Sequence, residues 1–140
     1  MSKVRLQLSL VAIALVGLLL VTSCFSQGSA DTFYDAGAKN LNVSGGQMAK
    51  YVLYRFETSE GSRTYNLPSA KEVISQINSP TVGQLFIMAV TVEGDNPVMV
   101  TGGEGMIIKP SAKEVAGNST KNLYFVVTNT SSGTQSITVY

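Results

Sequence analysis

The sequence predicts an all-β fold: an antiparallel β-sandwich or jelly-roll-like domain with one short helix, preceded by an N-terminal hydrophobic transmembrane or signal helix. Three observations carry this expectation. Short apolar runs recur at intervals of roughly eight to twelve residues between turn-forming clusters, the spacing of sandwich strands. One stretch alone, following Leu67, combines helical periodicity with a capping residue. Finally, Leu6 to Phe25, reading LQLSLVAIALVGLLLVTSCF, contains no charge and follows Lys3 and Arg5.

That first segment has the length to cross a bilayer, because about twenty residues at roughly 1.5 Å each span the hydrocarbon layer. Lys3 and Arg5 then mark the cytoplasmic side and place the rest of the chain on the exoplasmic face. A basic start, an apolar stretch and the small residues Thr22 and Ser23 also fit a secretory signal. Val21-Thr22-Ser23-Cys24 resembles the lipobox at which bacterial lipoproteins are cleaved and acylated, which makes Cys24 a candidate lipidation site. Residues 1–25 are therefore read as a transmembrane anchor or signal segment, with retention as an anchor the expected outcome.

Residues 26–46 are rich in Gly, Ser, Asn and Asp without sustained period and are expected to form a flexible tether. The β-sandwich domain is expected over 47–140. Lys50 to Glu57 alternates Val52, Tyr54 and Phe56 against Tyr51, Leu53 and Arg55, the pattern of a strand. A turn at Ser59-Glu60-Gly61 leads to a second strand over Arg63 to Leu67. Gln84 to Val92, apolar on both faces, reads as a central strand with strand neighbours on each side. Val98 to Thr101 and Met106 to Ile108 are short strands around a glycine-rich turn, and Asn122 to Thr128 with Gln135 to Tyr140 make a closing hairpin.

The hexapeptide PSAKEV occurs twice, at Pro68 to Val73 and at Pro110 to Val115. The likeness ends at the six letters, so no repeat unit is implied. Ala70, Val73, Ile74 and Ile77 complete one helical stripe, and Ser69 with Glu72 forms a capping box, so a helix is predicted from Ser69 to about Asn78. Around the second copy Ala116-Gly117-Asn118-Ser119 interrupts the stripe, and a loop or turn is predicted. Val115→Asp is expected to be much milder than Val73→Asp unless that valine plugs a sandwich end.

The chemistry is sparse. No histidine occurs, which removes Ser-His-Asp and Cys-His catalysis and most zinc sites. Cys24 is the one cysteine, so no intrachain disulfide can form. Ten basic residues less Lys3 and Arg5 leave eight against nine acidic, a net charge of about −1 without the basic patch that nucleic acid demands. Glu57 and Glu60 are close in sequence but belong to a solvated turn. Gly102 to Gly105 lacks the following Lys and Ser or Thr of a phosphate loop. Glu93, Asp95 and Asn96 offer too few oxygens for a calcium cage. No enzyme activity, cofactor or small-molecule substrate is expected. Asn42, Asn118 and Asn129 head glycosylation sequons, relevant only if the chain crosses a eukaryotic secretory membrane.

Leu67-Pro68-Ser69-Ala70, Val82-Gly83, Gly103-Glu104-Gly105 and the closing Thr128 to Tyr140 together resemble a small β-domain of structural proteins of large double-stranded DNA viruses and some phages. The likeness covers residues 62–140 and departs at Ser69, where Thr is usual and the capping role survives. It implies a non-enzymatic virion component, a minor capsid or membrane-associated protein anchored through residues 6–25 and packed against other capsid or envelope proteins. The alternative is a bacterial outer-membrane lipoprotein acylated at Cys24, with an extracytoplasmic binding domain.

Overall fold

The computed structural model describes residues 31–140, so Leu6 to Phe25 and Cys24 lie outside the described residues. In chain order the elements are β1 (Asp31–Gly37), β2 (Leu41–Asn42), α1 (Gly45–Lys50), β3 (Tyr51–Glu57), β4 (Arg63–Leu67), α2 (Ala70–Ile74), β5 (Leu85–Glu93), β6 (Val98–Gly102) and β7 (Met106–Ile108). A 3-10 turn (Pro110–Ala112), β8 (Glu114–Val115), β9 (Thr120–Asn129) and β10 (Ser136–Val139) complete the chain. No helix among the described residues is long and apolar enough to cross a membrane.

Two mixed sheets enclose one core. The larger has the order β1-β3-β5-β9-β10-β7 and the smaller β2-β4-β6-β8. β5 lies between β3 and β9, the central position expected from its double-sided apolarity. The expectation of a wholly antiparallel sandwich or jelly roll is corrected, because five of the eight strand pairings are parallel. The cause is the path of the chain. From β1 to β6 it alternates between the two sheets, and a strand reached after a visit to the opposite sheet returns in its original direction. Parallel partners need such a crossover, and here the strand of the other layer supplies it. Only β5–β9, β9–β10 and β6–β8 are antiparallel, the second pair forming the closing hairpin expected from sequence.

The expected tether over 26–46 is also corrected within the described residues. Asp31 to Gly37 forms an edge strand parallel to β3, and Leu41–Asn42 pairs with β4. Ser44 and Gln47 make a reciprocal capping box for α1, with Gln47 N–H on Ser44 Oγ at 3.2 Å and Ser44 N–H on Gln47 Oε1 at 3.0 Å. Leu41, Val43, Met48 and Ala49 then reach the core. Polar composition hid this because an edge strand needs only one apolar face, and β1 turns Tyr34 and Ala36 against the core.

The two PSAKEV copies fold differently, as expected. In the first, Ser69 Oγ accepts from Glu72 N–H at 3.2 Å, and Ala70, Val73, Ile74 and Ile77 are buried. The regular helix ends at Ile74 rather than near Asn78. The box is half formed, since the Glu72 carboxylate accepts instead from Gly45 N–H at 3.0 Å, tying α2 to α1. The second copy is a 3-10 turn running into β8, so the expected loop or turn is corrected at Glu114–Val115, which pair with β6. Val115 is nevertheless fully buried on β8 opposite Val98, which corrects the expectation of a mild Val115→Asp.

Aromatic rings fill the interior. Phe86 and Phe125 stack with centroids 5.0 Å apart, and Tyr65 lies 5.1 Å from Tyr54 and 5.6 Å from Phe56. The Tyr54 hydroxyl donates to Gln47 O at 3.1 Å. The Tyr65 hydroxyl lies near it, close enough for each to influence the other's ionisation yet outside hydrogen-bond geometry. Burial raises both phenol pKa values above the ordinary range, so both rings stay neutral.

Candidate functional site

The two sheets turn different chemistry outward. On the four-stranded sheet the register places Asn42 beside Asn66 and Asn66 beside Thr101. Asn66 Nδ2 donates to Asn42 Oδ1 at 2.6 Å, and Thr101 Oγ1 donates to Asn66 Oδ1, so a polar ladder crosses three strands. Among the described residues, one large apolar side chain on this face is exposed, Met99 on β6.

The six-stranded sheet is the reverse. Its inner side chains, such as Val52, Phe86, Leu123 and Ile137, are fully buried. By the period of two, their sequence neighbours point out. Phe33 on β1 pairs with Leu53 on β3, Leu53 with Ala89 on β5, Ile87 with Tyr124 on β9, Val126 with Thr138 on β10, and Thr138 with Ile107 on β7. Apolar side chains thus stand outward on β1, β3, β5, β9 and β7, while β10 contributes Thr138, which is buried between Val126 and Ile107. Phe33 is 46% exposed, Tyr124 42% and Ile107 48%, and Tyr140, bonded backbone to backbone with Tyr124, is 47% exposed. Exposed apolar side chains gathered on one face make this face the candidate site.

Arg55, Asp35 and Glu93 form one charged corner of this outer face. Arg55 sits between Asp35 and Glu93 on three adjacent strands, donating to Asp35 at 2.9 Å and to Glu93. The guanidinium hydrogen bond holds the Glu93 carboxyl below its usual range, and the two carboxylates raise the Arg55 pKa. The sign follows: the folded state gains from ionised Glu93 above its unfolded pKa and loses that gain as pH falls through the folded value. Glu93 is 59% exposed at its side chain, so the pair organises the corner more than it stabilises the fold.

The other sequence candidates are placed elsewhere. Gly94 N–H donates to Asn118 Oδ1 at 3.1 Å while Asn118 Nδ2 donates to Asp95 Oδ1 at 2.7 Å, so Asp95 serves a loop contact. Asn96 donates to Thr58 O at 2.7 Å. Asn129 accepts from Ser131 N–H at 2.9 Å in a turn, and Asn42 belongs to the polar ladder; all three sequon carboxamides are thus engaged. Glu57 accepts from Ser59 Oγ at 3.3 Å on the exposed turn. Among the described residues no three acidic, histidine or cysteine groups cluster to hold a metal ion.

Three of the four quoted motifs meet in space, while Val82-Gly83 lies apart, with Gly83 N–H on Val127 O at 2.7 Å. Ala70 N–H donates to Glu104 O at 2.8 Å, and Ile137 N–H to Gly105 O at 3.0 Å. Gly105, at φ +79°, lies so close that a Cβ would sit 2.3 Å from Gln135 O. Beside this junction Ser69, Lys71, Glu104, Gly133 and Gln135 line an open polar cleft of about 250 Å³. These three motifs are accounted for as packing between α2, the glycine turn and the closing hairpin.

Sequence reasoning took the double-sided apolarity of β5 as the mark of a central strand, which its place between β3 and β9 bears out. The outer half of that apolarity, Ile87 beside Tyr124, also lies on the outer face of the sheet. Comparison with known proteins found no match: no family model fits the sequence, no curated protein matches it and no solved structure matches the fold.

Proposed function

We propose that the chain is a non-enzymatic, membrane-anchored structural protein whose β-domain packs against other proteins through the outer face of its six-stranded sheet. The observation that carries this reading is the set of apolar side chains standing outward from Phe33 to Ile107, which offers shape and apolar surface rather than reactive groups. The Leu6 to Phe25 segment supports the anchor. Only residues 26–30 separate it from β1, so an anchored chain holds the domain within roughly 20 Å of the bilayer. The resemblance of residues 62–140 to virion β-domains makes a minor capsid or virion membrane component the specific form of the proposal, with residues 31–140 on the exoplasmic side.

The lipoprotein reading rests on Val21-Thr22-Ser23-Cys24. Intact mass of the membrane-extracted protein separates the two. A full-length chain, unaffected by Cys24→Ala and resistant to alkaline carbonate, is the expected result. A chain beginning at a diacylglyceryl-modified Cys24 replaces the virion reading with the lipoprotein, and a chain found free of membranes overturns both.

A further inference from the structure

We infer that Tyr34 and Tyr51 form an oxidative cross-linking site, at which peroxide-driven one-electron oxidation joins the two rings carbon to carbon and straps edge strand β1 to β3; this holds whether or not the chain is anchored. Their ring centroids lie 5.0 Å apart at an interplanar angle of 63°. Two phenol rings joined at their ortho carbons sit slightly closer than this and are twisted about the new bond, so a small side-chain adjustment reaches the product. Both rings are half-buried and packed against the core, which holds them in place while leaving each within reach of solvent. Lys50 Nζ, 5.2 Å from the Tyr51 ring centroid, helps to fix that ring.

Composition and topology favour this chemistry here. The chain has no tryptophan and its one cysteine is Cys24, so within 31–140 tyrosine is the side chain that gives up an electron most readily. The same composition denies the domain a disulfide. β1 has a single strand neighbour, β3, and its register shifts between Asp35 and Gly37, so a covalent strap has most to hold at this edge. The step balances. Hydrogen peroxide, activated at a haem peroxidase, takes one electron and one proton from each phenol and leaves as two waters. The two phenoxyl radicals couple between ortho Cε atoms, each ortho hydrogen leaves as a proton, and each oxygen regains one. Tyr54 and Tyr65 are nearly as close, at 5.1 Å, but both are fully enclosed. Burial keeps those two phenols protonated, and a phenol that cannot shed its proton resists one-electron oxidation.

The test treats the full chain, dilute in detergent, with a haem peroxidase and hydrogen peroxide. The expected product is a single chain lighter by two hydrogen atoms, with dityrosine fluorescence, and fragmentation of its digest should place the link between Tyr34 and Tyr51. Tyr34→Phe and Tyr51→Phe keep both rings and should each abolish the link, whereas Tyr65→Phe should leave it. The link assigned in the wild-type chain stands independently of how those variants fold. Once linked, β1 should exchange its amide hydrogens at least about tenfold more slowly, because an edge strand can then no longer fray alone. Failure to form a link under peroxide overturns the inference. So does a link that survives either Tyr34→Phe or Tyr51→Phe, one that joins Tyr54 to Tyr65, or one formed only between chains through Tyr124 or Tyr140. A linked chain whose β1 exchange is unchanged overturns the strap.

Discussion

The two PSAKEV copies bury the same letters and adopt different backbones. Ala70 and Val73 are fully buried in the first, and Ala112 and Val115 are fully buried in the second. In the first copy they share one face of a helix. In the second, Ala112 ends a 3-10 turn and Val115 lies on a strand paired with β6. The hexapeptide thus specifies which side chains go inward, and its surroundings decide the route. After the first copy Ile74 and Ile77 extend the stripe, and Glu72 finds Gly45. After the second, Gly117 and Asn118 stop it, and the Ser111 and Glu114 carbonyls accept from Lys121 Nζ instead.

The largest expected effects test the shared burial. Val73→Asp and Val115→Asp each place a carboxylate in a fully enclosed position, and each should destabilise by more than about 3 kcal/mol, enough to unfold a domain of ordinary stability. Urea titration followed by circular dichroism measures both; a folded Val115→Asp variant would break the comparison by making the second valine dispensable.

Gly45→Ala sharpens the part played by surroundings. Its Cβ would lie 2.6 Å from the backbone oxygen of Glu72, so α1 and α2 could not keep their present approach. A loss of about 2 kcal/mol is expected. Amide exchange should rise at Val73 and remain unchanged at Val115, and a uniform rise would show that the helix contact is not local.

The caps should differ next. Ser69→Ala removes the acceptor for Glu72 N–H and should cost about 1 kcal/mol. Ser111 contributes its carbonyl, which Ser111→Ala retains, so a change within about 0.5 kcal/mol is expected there. Equal thermal shifts would contradict the assignment of a cap to the first copy alone.

The smallest contrast lies at the glutamates. Glu72→Ala deletes the acceptor for Gly45 N–H and should lose about 1 kcal/mol, whereas exposed Glu114→Ala should fall within about 0.5 kcal/mol. A double-mutant comparison of Glu72→Ala with Gly45→Ala should show coupling, because the two changes act on one contact.

Much of the fold was legible because its signals are local. Alternation at Val52, Tyr54 and Phe56 gives a strand whatever its partners, and Met106 to Ile108 and the closing hairpin were equally plain. The candidate site was only half visible. The apolar residues of β5 and β9 stood out, yet alternation cannot distinguish a face covered by the core from one awaiting another molecule. Tyr54, Tyr65, Tyr124 and Tyr140 are the same residue type, and only their registers place the first two inside and the last two out.

The sequence by itself determined where β3 to β7, β9, β10 and the α2 helix form, and that the two hexapeptides diverge, because periodicity, capping and helix termination act over a few residues. Tertiary structure alone decided strand direction, the recruitment of Asp31 to Asn42 into the sheets and the gathering of exposed apolar side chains on the outer face of the six-stranded sheet. Period-two alternation is identical for parallel and antiparallel strands, and a sheet face is assembled from residues as distant as Phe33 and Thr138, so neither property exists in any short stretch of chain.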